Sequence, residues 1–176
     1  MKLSLARAYK TILFLGLFVG CSSAPKVLFK DAVDTETKSI RYQDKRTFTF
    51  TDSGVSFSNE FDGARLNAVE QLNDSVFIVT IQPENEPINH SPFYAFNVWS
   101  SSPKEITLKF KYPGQYKHRY VPKIKSNEVW SIADSLNFQF EGQYSSLKLQ
   151  TNPNTKTVSG QELHTSSDVY SWVDQL

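Results

Sequence analysis

From Arg46 onward the side-chain chemistry changes at every second residue, and turn residues interrupt it every few positions. No other property restricts the possible folds as strongly. Phe48 and Phe50 alternate with Thr47, Thr49 and Thr51, the turn Asp52-Ser53-Gly54 follows, and Val55 and Phe57 resume the alternation as a hairpin partner would. Ile106, Leu108 and Phe110 alternate with Thr107, Lys109 and Lys111 within Glu105–Lys111. A period of two places successive side chains on opposite faces of an extended chain, so each run is half-buried. Ser75–Gln82 is β-branched and aromatic on both faces, as in a strand covered from two sides. Further strands are expected at Leu66–Leu72, Phe93–Trp99, Glu128–Ile132, Asn137–Glu141 and Ser145–Gln150, with Tyr94, Phe96 and Val98 sharing a core-facing side. Trp99 and Trp130 read as core or edge packing. Short runs at this spacing predict an all-β fold, an antiparallel β-sandwich of about eight to ten strands over residues 45–150.

The two ends follow other patterns. Lys2, Arg7 and Lys10 form a positive n-region and Thr11–Val19 an apolar h-region, too short for a transmembrane helix of about 20 residues. Residues 1–20 therefore read as a signal peptide with a signal helix. Cys21, the one cysteine of the chain, stands directly behind this segment. The sequence Leu17-Phe18-Val19-Gly20-Cys21 resembles the lipobox of bacterial lipoproteins, which implies that Cys21 is the lipidation site and the first residue of the mature chain. Residues 21–44 read as a lipid-anchored tether, with an early edge strand at Val27-Leu28-Phe29. Residues 151–167 are polar and read as a linker. Beyond them Ser167 could cap a short helix with Val169, Trp172, Val173 and Leu176 on one face. Residues 151–176 are thus expected to be a linker and the start of a helix leading toward a further domain.

Catalytic patterns are scarce. Removal of Lys2, Arg7 and Lys10 with the signal takes the formal charge from +1 to −2, and no basic patch points to a nucleic acid. His90, His118 and His164 stand apart from one another and from carboxylates at metal-ligand spacing, and read as solvated surface residues. No G-x-S-x-G motif and no glycine-rich phosphate loop occurs, and acylation would consume the thiol. Asp52 and Asp62 read as solvated turn residues. No catalytic or metal-ligating residue is expected in this chain.

Between Val55 and Ile132 the order of landmarks is more specific than any one of them. It runs through Phe57-Ser58-Asn59-Glu60-Phe61-Asp62-Gly63-Ala64-Arg65-Leu66, Ile78-Val79-Thr80-Ile81-Gln82-Pro83-Glu84, Phe93-Tyr94-Ala95-Phe96-Asn97-Val98, Ile106–Phe110, Tyr120-Val121-Pro122 and Trp130. This series resembles the N-terminal β-sandwich domain of zinc carboxypeptidases of the cytosolic-carboxypeptidase type, a group that also occurs in bacteria. Arg65 stands where that family often has Asn, and Asn97 where it often has Arg. The resemblance implies a non-catalytic sandwich that shapes or docks beside a catalytic domain carrying the zinc. That domain's His-x-x-Glu motif does not occur here, so a catalytic domain is expected as a partner in cis or in trans, and zinc only there. His118, Arg119, Lys123 and Trp172 are the expected interface residues. The expected location is the bacterial cell envelope, lipid-anchored, and Ser22 in place of Asp behind the cysteine implies the outer membrane. The alternative is a free-standing envelope lipoprotein that binds protein or glycan. An exposed aromatic platform around Trp99 or Tyr116 would favour that alternative, and a bare apolar patch at the C-terminal helix would favour a partner domain.

Overall fold

Alternation in the sequence becomes alternation in burial. Along Lys104–Lys111, Ile106, Leu108 and Phe110 are fully buried, while Thr107, Lys109 and Lys111 stay partly exposed. The computed structural model describes residues 43–83, 93–114, 116–141 and 144–176. The signal segment, Cys21, nearly all of the tether, the candidate strand at 27–29 and His90 lie outside the described residues.

Eleven strands are described: β1 Thr47–Phe50, β2 Val55–Ser58, β3 Ala68–Asn73, β4 Val76–Thr80, β5 Ala95–Ser100, β6 Lys104–Lys111, β7 Lys123–Ser126, β8 Val129–Ile132, β9 Phe138–Glu141, β10 Tyr144–Thr151 and β11 Lys156–Ser159. They form two sheets, ordered β1-β2-β5-β11-β7-β8 and β3-β4-β6-β10-β9. The first sheet is antiparallel throughout. The second is mixed, because β4 pairs with β6 in parallel, Val76 opposite Thr107 and Thr80 opposite Lys111. This corrects the expectation of a purely antiparallel sandwich. The chain leaves β4 for β5 in the other sheet and then returns to β6, so two crossings restore its original direction.

The inward faces share one aromatic core. Phe57 of the first sheet meets Phe77 of the second at 5.2 Å between ring centroids, and Tyr94 meets Phe110 at 4.9 Å. Tyr94, Phe57, Phe77, Phe96 and Phe110 are fully buried, each contributing on the order of 1.5–3 kcal/mol by removal from water. The chain is thus mostly β, with two sheets that share a core, which is consistent with the expected sandwich.

Two strands lie where none was expected. β7 and β11 each bring a single apolar side chain to the core, Ile124 and Val158, between lysines and hydroxyls. Such runs carry almost no hydrophobic periodicity. Their place comes from pairing on both edges, since β11 sits between β5 and β7. The expected linker at 151–167 thus contains an interior strand, and a domain boundary at 150 would divide the first sheet. Glu128, expected inside a strand, is instead in the β7–β8 turn, where Asn127 and Glu128 both have positive φ, 49° and 64°. That is the arrangement of a two-residue type I′ hairpin.

The Phe57–Leu66 segment is held by a buried amide. Asn59 is fully enclosed, and its Oδ1 accepts from the Arg46 backbone N–H at 2.6 Å. Its Nδ2 donates to the carbonyls of Asp44 and Leu66, both at 2.8 Å. Gln43 continues the network, accepting from the Leu66 N–H at 2.6 Å and donating to the Ala64 carbonyl. Arg65, also buried, donates twice to the Gln82 carbonyl, at 3.1 and 2.9 Å. This landmark of the sequence serves the fold by satisfying backbone groups beneath the surface.

Candidate functional site

The loop Tyr112–Pro122 carries two of the expected interface residues and connects β6 of the second sheet to β7 of the first. After a turn in which the Tyr116 N–H donates to the Pro113 carbonyl, its side chains alternate in burial like those of a strand. Tyr116, His118 and Tyr120 are partly buried, while Lys117, Arg119 and Val121 are exposed. His118 corrects the expectation of a solvated histidine. Its ring lies among Phe110 (4.8 Å), Phe138 (5.2 Å), Tyr94 (5.3 Å), Tyr112 (5.7 Å) and Phe140 (5.9 Å), measured between centroids. The Tyr112 hydroxyl donates to Nδ1 at 2.9 Å, and Nε2–H donates to the Tyr120 carbonyl. These partners assign the neutral Nε2–H tautomer. Burial lowers its pKa from the usual 6.5 to about 4, against the opposing pull of the Tyr120 carbonyl. Burial likewise pushes the Tyr94 and Tyr112 hydroxyls upward, so both remain protonated. With both ring nitrogens engaged, His118 is suited to pinning the loop and not to acting as a base or a metal ligand. The alternation of Tyr116, His118 and Tyr120 is the sequence signal that marks this face.

The other expected interface residues lie outside this cage. Arg119 is exposed on the loop, between the inward His118 and Tyr120. Lys123 begins β7 and pairs with Glu162 at 3.4 Å, tying the first sheet to the segment beyond β11. Trp172 belongs to the helix α1, Ser166–Val173.

α1 is capped two residues before the position its sequence suggests. The cap is Thr165 in place of Ser167: its hydroxyl accepts from the Asp168 N–H at 3.2 Å, and the Asp168 carboxylate accepts from the Thr165 N–H at 2.7 Å. Hydrogen bonds from the Thr165 backbone and then its side chain hold the Asp168 carboxyl below the usual carboxylate range. This reciprocal capping box outweighs a lone serine. No residue of α1 is buried. Val169, Tyr170, Trp172 and Val173, followed by Leu176, are exposed, Trp172 by 62% and Leu176 by 88%.

Among the described residues no three His, Cys, Asp or Glu side chains come together, and His118 has no free nitrogen. These residues do not fit a zinc site. Trp99 and Trp130 are half-buried, and Tyr116 packs against the core. Trp130 lies on β8, an edge strand, as one of the two expected readings had it.

No family profile matches this sequence, and no curated protein matches it. Solved structures do share its fold. A metallo-carboxypeptidase from Pseudomonas aeruginosa, in complex with (2-guanidinoethylmercapto)succinic acid, superposes with a TM-score of 0.54 over 68% of this chain at 13% identity. A carboxypeptidase A candidate from Shewanella denitrificans OS-217 gives 0.56 over 68% at 13% identity. A metallo-carboxypeptidase from Burkholderia cenocepacia gives 0.53 over 69% at 10% identity. In each case the match spans only 32% of the other protein. The chain thus shares a fold with about a third of the length of each of these three proteins, and at these identities the likeness shows fold alone.

Proposed function

We propose that this chain is the non-catalytic, N-terminal β-sandwich domain of a lipid-anchored zinc metallocarboxypeptidase, shaping or docking the substrate cleft of a catalytic domain supplied in cis or in trans. The observation that carries this reading is the fold match to metallo-carboxypeptidases over about two thirds of the chain and about one third of theirs. The ordered landmarks from Phe57 to Trp130 point the same way. So do the bare apolar side chains of α1, because exposed Trp172 and Val173 suit contact with another body better than contact with water. Zinc would reside in the partner domain. Arg119, Lys123 and Trp172 are the proposed contact residues, with His118 positioning the loop that displays Arg119.

Cys21 would carry the lipid and hold the domain at the cell envelope, with the outer membrane as the proposed location. Among the described residues no helix is long and apolar enough to cross a membrane. One purification tests both parts. The protein is isolated from source-cell envelopes with an antibody to residues 45–150, and its N-terminus and associated polypeptide are identified by mass spectrometry. Diacylglycerol on Cys21 is expected, together with a continuous or bound polypeptide that contains His-x-x-Glu and releases C-terminal residues only with zinc. A mature protein lacking any such polypeptide would overturn the enzyme reading, and an unmodified Cys21 the anchor.

A further inference from the structure

The outer face of the first sheet has a chemistry that the core does not use and that meets the proposed interface only at Lys123. Strand register places Thr47, Ser58, Asn97, Thr157, Lys125 and Trp130 directly opposite one another across all six strands. Their sequence neighbours Phe57, Phe96, Val98, Val158 and Ile124 face the core, so this row faces away from it, Ser58 being buried and the other five at least partly exposed. Five inter-strand steps of about 4.8 Å give it a length of about 24 Å. Trp99, two residues beyond Asn97 on β5, lies on the same face. Neither Trp99 nor Trp130 belongs to the core cluster, and both are partly exposed.

The polar group between the two indoles is already oriented. The Thr157 hydroxyl donates to Asn97 Oδ1 at 2.7 Å, which assigns the amide and leaves its two N–H donors directed away from Thr157. Among the described residues these donors, like the indole N–H groups of Trp99 and Trp130, have no acceptor. The two lysines nearby are paired, Lys125 with Glu128 at 2.5 Å and Lys123 with Glu162 at 3.4 Å. The face therefore offers flat apolar rings and neutral donors, with the Glu60 carboxylate accepting from the Thr47 hydroxyl at 2.6 Å at the β1 end of the row. Between the edge strands β1 and β8 every strand spends its backbone groups on its neighbours, so a ligand lying across the face meets side chains.

We infer that this face binds a neutral polysaccharide, with pyranose rings stacked on Trp99 and Trp130 and sugar hydroxyls accepting hydrogen bonds from the Asn97 amide. A pyranose has an apolar C–H face and a rim of hydroxyls, the complement of an indole beside an oriented amide. The site is independent of the carboxypeptidase reading and would operate in a free-standing lipoprotein as well.

The full chain, in micelles of a sugar-free detergent, is titrated by calorimetry with cellohexaose, maltohexaose and the hexamer of N-acetylglucosamine. At least one hexasaccharide is expected to bind. Trp130→Ala, Trp99→Ala and Asn97→Ala should each weaken binding by about tenfold or more, while Leu72→Ala, on an exposed position of the second sheet, leaves it unchanged. Asn97 and Trp130 lie outside the core, so their variants carry the test even if Trp99→Ala fails to fold; near-ultraviolet circular dichroism checks that they do fold. Binding to none of the three hexasaccharides, or binding that survives both Asn97→Ala and Trp130→Ala, overturns the inference.

Discussion

The loop around His118 and the helix α1 are built from similar side chains and meet opposite fates. The loop contributes Tyr112, Tyr116, His118 and Tyr120, and each is at least partly covered by the two sheets. The helix contributes Tyr170 and Trp172, exposed by 71% and 62%. In the loop every polar ring atom of His118 has a partner, so the imidazole is chemically quiet even though Phe140, at the rim of the cluster, is exposed. On α1 the aromatic surface has no cover among the described residues. Aromatic content alone therefore does not separate a structural cluster from a contact surface. The separation depends on whether a second layer lies over it.

The largest expected effect is on pH-dependent stability. The folded chain resists protonating His118 until about pH 4, whereas the unfolded chain takes up that proton near 6.5. The stability it contributes is complete above pH 6.5 and declines as the pH falls toward 4, by about 3 kcal/mol in all. Urea titrations between these limits should show that loss, and His118→Phe should remove that part of it. An unchanged pH slope in the variant would mean that the cage is open.

A smaller effect is expected under the same loop. Gly160 donates its N–H to the Tyr94 carbonyl at 3.0 Å, and a Cβ added there would stand 2.9 Å from Cδ2 of Tyr120. Gly160→Ala should cost about 1–3 kcal/mol by overpacking, read as a lower urea midpoint with an unchanged slope. No loss would show that the loop moves aside freely.

On the helix, changes should stay local. Thr165→Ala removes the cap and should weaken α1 by about 1 kcal/mol. Faster amide exchange at Asp168–Val173 would reveal this, with little change in the global midpoint. Trp172→Ser should alter global stability least, by less than about 0.5 kcal/mol. A larger drop in thermal midpoint would show that α1 packs on the domain.

The sequence by itself determined the β class, the faces of the regular strands and the core identity of Tyr94, Phe96 and Val98. Alternation is a local property of extended backbone, so one burial pattern follows directly from it. Phe48, Phe50, Ile106, Leu108 and Phe110 were legible for the same reason. The expected interface was legible only in part: the exposed positions of Arg119 and Trp172 could be read locally, but the enclosure of His118 could not, because its partners come from β6, β9, the segment before β5 and its own loop. The tertiary structure alone decided that β11 lies inside the first sheet, that β4 and β6 run parallel, and that Asn59 is buried. Each depends on pairing between residues far apart in the chain, where hydrogen bonds to neighbouring strands compensate for the few apolar side chains that a run such as Lys156–Ser159 brings.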